Sequence, residues 1–202
     1  PIGWISTVDA HGRHNLAPYS QFQNVTFDPP IVMFSANQST QGERKDSVRN
    51  AEQMGQFVWN MATYALRDAV NKSAEELPHG VDEFEHAGLV KLPSRKVKPM
   101  RVAGSPIQFE CVYLNTLRFP GVPPMGTADV VFGRVVAIHI DDEVIDGQGM
   151  LDILKIQPLA RMGYFDYTFV DNKFEMVIGG NNSALLAGLE GSPDKAKAAA
   201  QR

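Results

Sequence analysis

Strand-like runs recur along this chain without helices regularly between them, and that spacing limits the fold more than any other feature. Gly3–Val8 is aromatic and β-branched, and Asp9-Ala10-His11-Gly12-Arg13 supplies a reversing turn. The return strand is expected over residues 14–17, with Pro18 limiting its ladder or placing it at a sheet edge. Residues 22–26 fit a short strand before Asp28-Pro29-Pro30 breaks the run, and 31–34 read as a strand buried on both faces. Gln56–Met61, residues 107–117 and the long run 127–141 are further strands, with a last strand or hairpin expected over 165–177. Only two helices are predicted. One spans about 47–54, with Asp46 or Ser47 as N-cap and Gly55 as stop; the other spans 63–72, with Leu66, Ala69 and Val70 inward. Residues 73–101 read as irregular, with one helical turn at 82–86. A parallel sheet needs a crossover between successive strands, so the doubly wound class is excluded. The expectation is a mainly β, antiparallel barrel, closed or nearly closed, with helical insertions.

At 202 residues the chain is long enough for one domain with its own core, taken here as 1–185, plus a C-terminal tail over 186–202. The Ala- and Lys-rich stretch 192–202 reads as a terminal helix or frayed tail. Hydrophobic residues make up 44%, enough to offset ordering entropy and exclude a disordered chain. With 23 acidic against 19 basic residues, the net charge of −4 gives no general attraction to nucleic acid or anionic membrane. No stretch approaches the ~18–20 apolar residues of a membrane span. The lone Cys111 allows neither an internal disulfide nor a cysteine-based zinc site, and a cytoplasmic setting is expected. Pro1 directly precedes a strand, which suggests a processed or trimmed start.

Candidate chemistry is sparse. His11, His14, His79, His86 and His139 show no ligand spacing, so no metal site is expected, and His11 and His14 flank a turn in solvent. Cys111 lies in an apolar strand and reads as a buried structural thiol; Asp141-Asp142-Glu143 reads as a solvated turn. No nucleophile elbow, Walker loop or spaced-glycine fingerprint is present. What stands out is three polar segments at strand ends or a helix start: Asn15-Leu16-Ala17-Pro18-Tyr19-Ser20-Gln21, Ser35-Ala36-Asn37-Gln38-Ser39-Thr40 and Arg44-Lys45-Asp46-Ser47. Small and hydroxyl residues there let backbone N–H groups approach a planar or anionic ligand, and a helix start favours phosphate. Taken alone, the third segment reads better as a helix cap at Ser47 with Lys45 in solvent; beside the other two segments that reading loses ground.

These segments carry a resemblance. Trp4 to Asp9, Gly12, Asn15 to Phe22, Asp28-Pro29-Pro30 and Phe34-Ser35 come first. Lys45-Asp46-Ser47, Asn50, Gly55-x-Phe57-Val58-x-Asn60, Gly80 to Phe84, Pro106-Ile107-x-Phe109-Glu110-Cys111 and Pro158 to Gly163 follow in order. Together they resemble the flavin reductase-like FMN-binding split-barrel proteins over about residues 1–165. That group includes flavin reductases, flavoredoxins and nitrilotriacetate monooxygenase component B.

The resemblance implies an antiparallel split β-barrel that forms a homodimer with FMN near the subunit interface. It implies an oxidoreductase in which NAD(P)H reduces FMN for a partner monooxygenase or other acceptor; the alternative is a flavoredoxin-like carrier that holds FMN without NAD(P)H activity. By the same resemblance Asn15, Ala17, Pro18, Tyr19, Ser20 and Gln21 line the ring and ribityl chain, and Ser35, Ala36 and Asn37 face the ribityl and phosphate. Lys45, Asp46 and Ser47 close the phosphate end, and Arg161 reaches the flavin or the nicotinamide side. No catalytic residue is implied, because the flavin itself accepts the hydride. Relatives often carry a second glycine and a nearby aromatic in the last motif, where Tyr164 follows Gly163 here. The Pro-rich loop with Phe119, Val122 and Met125 is a candidate dimer contact.

Overall fold

Residues 1–176 are described by the structure, a computed structural model. In chain order they form β1 (Gly3–Val8), β2 (His14–Tyr19), β3 (Phe22–Phe27), β4 (Pro30–Asn37), α1 (Asp46–Met54) and β5 (Gln56–Met61). The short elements α2 (Arg67–Lys72), α3 (Glu83–His86), β6 (Lys91–Leu92) and β7 (Arg101–Val102) come next. The long strands β8 (Ile107–Phe119) and β9 (Ala128–Ile140) precede α4 (Ile153–Ile156) and the hairpin β10 (Leu159–Gly163) and β11 (Asp166–Phe169).

Seven strands make one sheet in the order β2-β1-β5-β8-β9-β4-β3, antiparallel at every pairing. Its two outermost strands, β2 and β3, are consecutive in sequence, joined through Ser20 and Gln21. The sheet curls until those strands approach the rest of it. Phe22 of β3 stacks on Trp59 of β5 with centroids 5.2 Å apart, and Tyr19 of β2 meets Phe34 of β4 at 5.2 Å. This is the antiparallel split barrel. Pro18 sits on edge strand β2, where its missing N–H costs no ladder bond to a further strand.

The barrel interior is filled by Ile5, Phe34, Phe57, Trp59 and Val131. Gly133 of β9 is required there: a Cβ at that position would lie 2.3 Å from the Phe57 ring. A second cluster, with Trp4, Leu16, Val70, Phe84, Val102 and Leu159, lies between the outer face of β1 and β2 and a layer made of α2, α3 and the short hairpins. Because both its faces are covered, every residue of β1 is buried. Polar braces fix this outer layer: Trp4 Nε1 donates to Ser73 Oγ (2.9 Å), and Asn60 donates to Trp4 O while accepting from Val102 N.

Several boundaries differ from the sequence expectation. β4 alternates buried and half-buried residues, since one face lines the barrel and the other looks outward. It also continues through Asn37, so Ser35 to Asn37 pair with Val130, Asp129 and Ala128 instead of opening a loop. Neither Asp46 nor Ser47 caps α1; Lys45 holds that position without a side-chain cap, while Gly55 (φ 71°) ends the helix as expected. The helix expected over 63–72 is divided into a 3-10 turn at Tyr64–Leu66 and α2. Two-residue strands are too short to leave a pattern, so β6 and β7 fall in the stretch read as irregular, while the turn at 82–86 is present as α3. His14 is half-buried, edge-on to Phe84, rather than exposed; burial lowers its pKa. The terminal hairpin begins at Leu159, and Tyr164 at its tip takes φ 48°, a conformation glycine adopts at no cost. The chain divides into units Pro1–Asp171 and Asn172–Arg202, of which 172–176 show no regular structure. The boundary expected at 185/186 and the helix or tail expected over 192–202 lie outside the described residues.

Candidate functional site

A cleft of about 680 Å³ lies where β2 and β4 end, within the ~300–1,000 Å³ typical of small-molecule sites. One wall is small and polar: Pro18, Tyr19, Ser20 and Gln21 from the β2–β3 link, and Ser35, Ala36 and Asn37 from the last turn of pleat in β4. These two segments are held together by a backbone bond from Ser35 N to Gln21 O (2.9 Å). Another wall is aromatic, with Tyr64 ahead of α2 and Phe165, Tyr167 and Phe169 from the terminal hairpin. Lys45, Arg67 and Arg161 bring three cations to the lining against one carboxylate, Asp68.

A second cleft of about 380 Å³ shares Pro18, Tyr19, Lys45 and Ala74 with the first. It is lined by Asn15, Ala17, Asp46 and Glu83, among others. Lys45 Nζ lies 3.4 Å from Glu76, whose carboxylate is held below its usual pKa by the Thr40 hydroxyl. Asp46 accepts from or pairs with His79 Nδ1 at 2.7 Å and lies 3.6 Å from Arg49. Burial pushes the Glu83 carboxyl up to about 7, although Leu16 N donates to it.

Twelve of the thirteen residues expected at the site therefore line one or both clefts. The exception is Ser47. It is buried, accepts a 2.8 Å bond from Asn15 Nδ2 and is hydrogen-bonded to Tyr19, whose phenol burial pushes to a higher pKa. Its hydroxyl braces α1 against β2 and is not presented to the cleft. Asn50, in the same motif, likewise donates to Thr7 Oγ1 of β1. Gln38, within the second polar segment, lines the cleft too, whereas Tyr64, Arg67, Asn71 and the hairpin aromatics are lining residues that the sequence does not single out. Arg67, Asn71 and Ala74 recur at helical spacing, a signal obscured because the inward face of Leu66, Ala69 and Val70 absorbed the reading.

Does a phosphorylated, planar cofactor fit these residues? The lining offers amide and hydroxyl groups on one side, aromatic faces on the other, and a lysine beside the α1 N-terminus, a donor set matched to such a molecule.

Comparison with known proteins agrees with that geometry. The flavin reductase like domain model matches residues 1–168. A protein of Aquifex aeolicus is 32% identical over 178 residues, covering 87% of this chain and 88% of its own. The crystal structure of nitrilotriacetate monooxygenase component B from Bacillus cereus superposes with a TM-score of 0.80 at 30% identity, over 87% of this chain and 86% of that one. Flavoredoxin of Desulfovibrio vulgaris (Miyazaki F) shares the fold at 18% identity, with a TM-score of 0.72 over 87% and 89% of the two chains. The match runs from the first strand into the terminal hairpin, and so takes in every element that lines the cleft: this chain belongs to the flavin reductase-like domain family.

Proposed function

We propose that the protein is an FMN-binding oxidoreductase that draws electrons from NAD(P)H and delivers them, as reduced flavin, to a partner monooxygenase or another acceptor. The observation that carries this reading is the convergence of two polar strand-end segments and Lys45, from a third, on one cleft that also has an aromatic wall. Bound flavin supplies the redox chemistry. The chain's own residues hold and orient it. Ser20, Gln21, Ser35 and Asn37 offer hydrogen bonds along the ring edge and ribityl chain; Ala36 leaves room for close approach; Lys45 faces the phosphate. Asn15, Ala17 and Asp46 act from the adjoining cleft, and Arg161 stands with the hairpin aromatics on the side open to a second substrate.

The resemblance also supports a homodimer, through the β8–β9 connection, where Phe119, Val122 and Met125 are all more than half exposed. A reduced, buried thiol at Cys111 suits a cytoplasmic setting.

Likeness to a flavoredoxin favours one second reading, an FMN-holding electron carrier that does not itself oxidise NAD(P)H. Titration of the protein with FMN, followed by stopped-flow addition of NADH or NADPH, separates the two. The reductase reading expects saturable FMN binding and nucleotide oxidation faster than with free FMN. FMN binding without faster oxidation would favour the carrier, and no FMN binding would overturn both.

A further inference from the structure

The cleft holds more positive charge and more aromatic surface than one flavin needs. Arg67 is parked over the Tyr64 ring, its guanidinium carbon 4.3 Å from the centroid, and Tyr64 in turn stacks on Phe169 at 4.2 Å and 29°. The arrangement is fixed from several directions. Arg67 Nη1 donates to Tyr64 O (2.9 Å), Tyr64 N donates to Gln157 O, and Leu159 N donates to Ala62 O, so the terminal hairpin and the α2 segment are tied side by side. Arg161 repeats the pattern on the hairpin: its Nη2 donates to Tyr164 O (2.7 Å) and its guanidinium lies 5.8 Å from the Tyr167 ring.

Each arginine spends one donor on a backbone carbonyl, which orients the fork and leaves other N–H groups free for a ligand. The carboxylate nearest Arg67, Asp68, is 3.7 Å away and 91% exposed, a pair too solvated to consume the charge. In a chain of net charge −4, two oriented guanidiniums over aromatic rings in one cleft offer a seat for an anionic group. Lys45, at the start of α1 and shared by both clefts, is the cation left for the cofactor phosphate.

We propose that Tyr64, Arg67 and Phe169 form a second-substrate platform that takes a planar aromatic group bearing an anion, with Arg67 as its specificity-determining residue. This rests on the FMN reading of the same cleft. Tyr64, covered by Arg67 on one face and by Phe169 on the other, holds the arginine in place; the Phe169 ring offers stacking, and Arg67 supplies a charge-assisted bond to phosphate or carboxylate.

The test uses the full chain and its Arg67→Ala, Arg67→Lys and Phe169→Leu variants, each titrated calorimetrically with NADPH, NADH and benzoate, with and without FMN. FMN affinity is measured separately by flavin fluorescence. Arg67→Ala is expected to weaken at least one probe by about tenfold to hundredfold, while FMN affinity stays within about twofold. Arg67→Lys should recover part of the loss, and Phe169→Leu should weaken the same probe without a large fall in melting temperature. Loss confined to the nucleotides assigns the platform to the electron donor; loss confined to benzoate assigns it to an aromatic carboxylate acceptor. Equal losses for FMN and the probes, or no loss for any probe, would overturn the proposal. If the wild-type chain binds no FMN but Arg67→Ala still loses a probe, the FMN reading fails and the platform stands.

Discussion

Glu83, at the edge of the second cleft, gives the folded chain an unusual response to pH. Burial and the nearby Asp46 and Asp82 raise its pKa to about 7, against an ordinary 4.5. Between those values the native chain retains a proton that the unfolded chain has released, so this group's contribution to stability falls as pH rises from about 4.5 through 7. Glu83→Gln keeps an acceptor for Leu16 N but cannot ionise. Its stability relative to wild type should therefore improve steadily from about pH 5 to pH 8 in urea denaturation. A constant difference across that range would mean that Glu83 titrates normally. Neighbouring residues show how a motif locates side chains without fixing what they face. Asn15, Ser47 and Asn50 stand in the pattern that led to the family, yet Ser47 and Asn50 spend their polar atoms on bracing α1 against β2 and β1. Sequence spacing locates such residues; only packing reveals which way the side chain turns.

At the level of elements, one carboxylate gathers three consecutive amides of the segment between β6 and β7. Glu110 of β8, fully buried, accepts from Arg95 N, Lys96 N and Val97 N and meets His139 Nε2 at 2.5 Å. Burial alone would raise its pKa, but those bonds hold it below the usual range. Its contribution is thus present near neutral pH and lost in acid, the reverse of Glu83. Glu110→Ala strands three amides and the imidazole, and should cost about 3 kcal/mol in urea denaturation while exposing the 94–99 loop to proteolysis. A loss below about 1 kcal/mol would show the loop to be held by other contacts. Elements with long periodic or β-branched runs were legible from sequence: β1, β5, β8, β9 and α1 with its Gly55 stop. Those set by tertiary context were not. β6 and β7 are two residues each, the 3-10 turn at Tyr64–Leu66 breaks a helical pattern, and β4 runs on because β9 supplies a partner as far as Ala128. The polar wall of the cleft was readable as strand-end composition. Its aromatic wall was not, because the hairpin aromatics lie about 100 residues and more from the polar segments and only the fold brings them across.

For the whole molecule, the β8–β9 arm presents apolar surface that a second copy of the chain would cover. Phe119 is 53% and Val122 79% exposed at its end. Sedimentation velocity is expected to give a dimer for the wild-type chain and a monomer for the Phe119→Asp/Val122→Asp double variant, whose melting transition should remain cooperative. A wild-type chain that sediments only as monomer at micromolar concentration would remove the dimer from the reading. Deep in the same barrel lies Cys111, fully enclosed beside Gly133, its thiol pushed upward by burial and by Glu110. A sulfur so placed is silent toward alkylating reagents while the strands stay shut. Being the sole cysteine, it serves as an internal clock: the pace at which it is alkylated measures how often the barrel unzips.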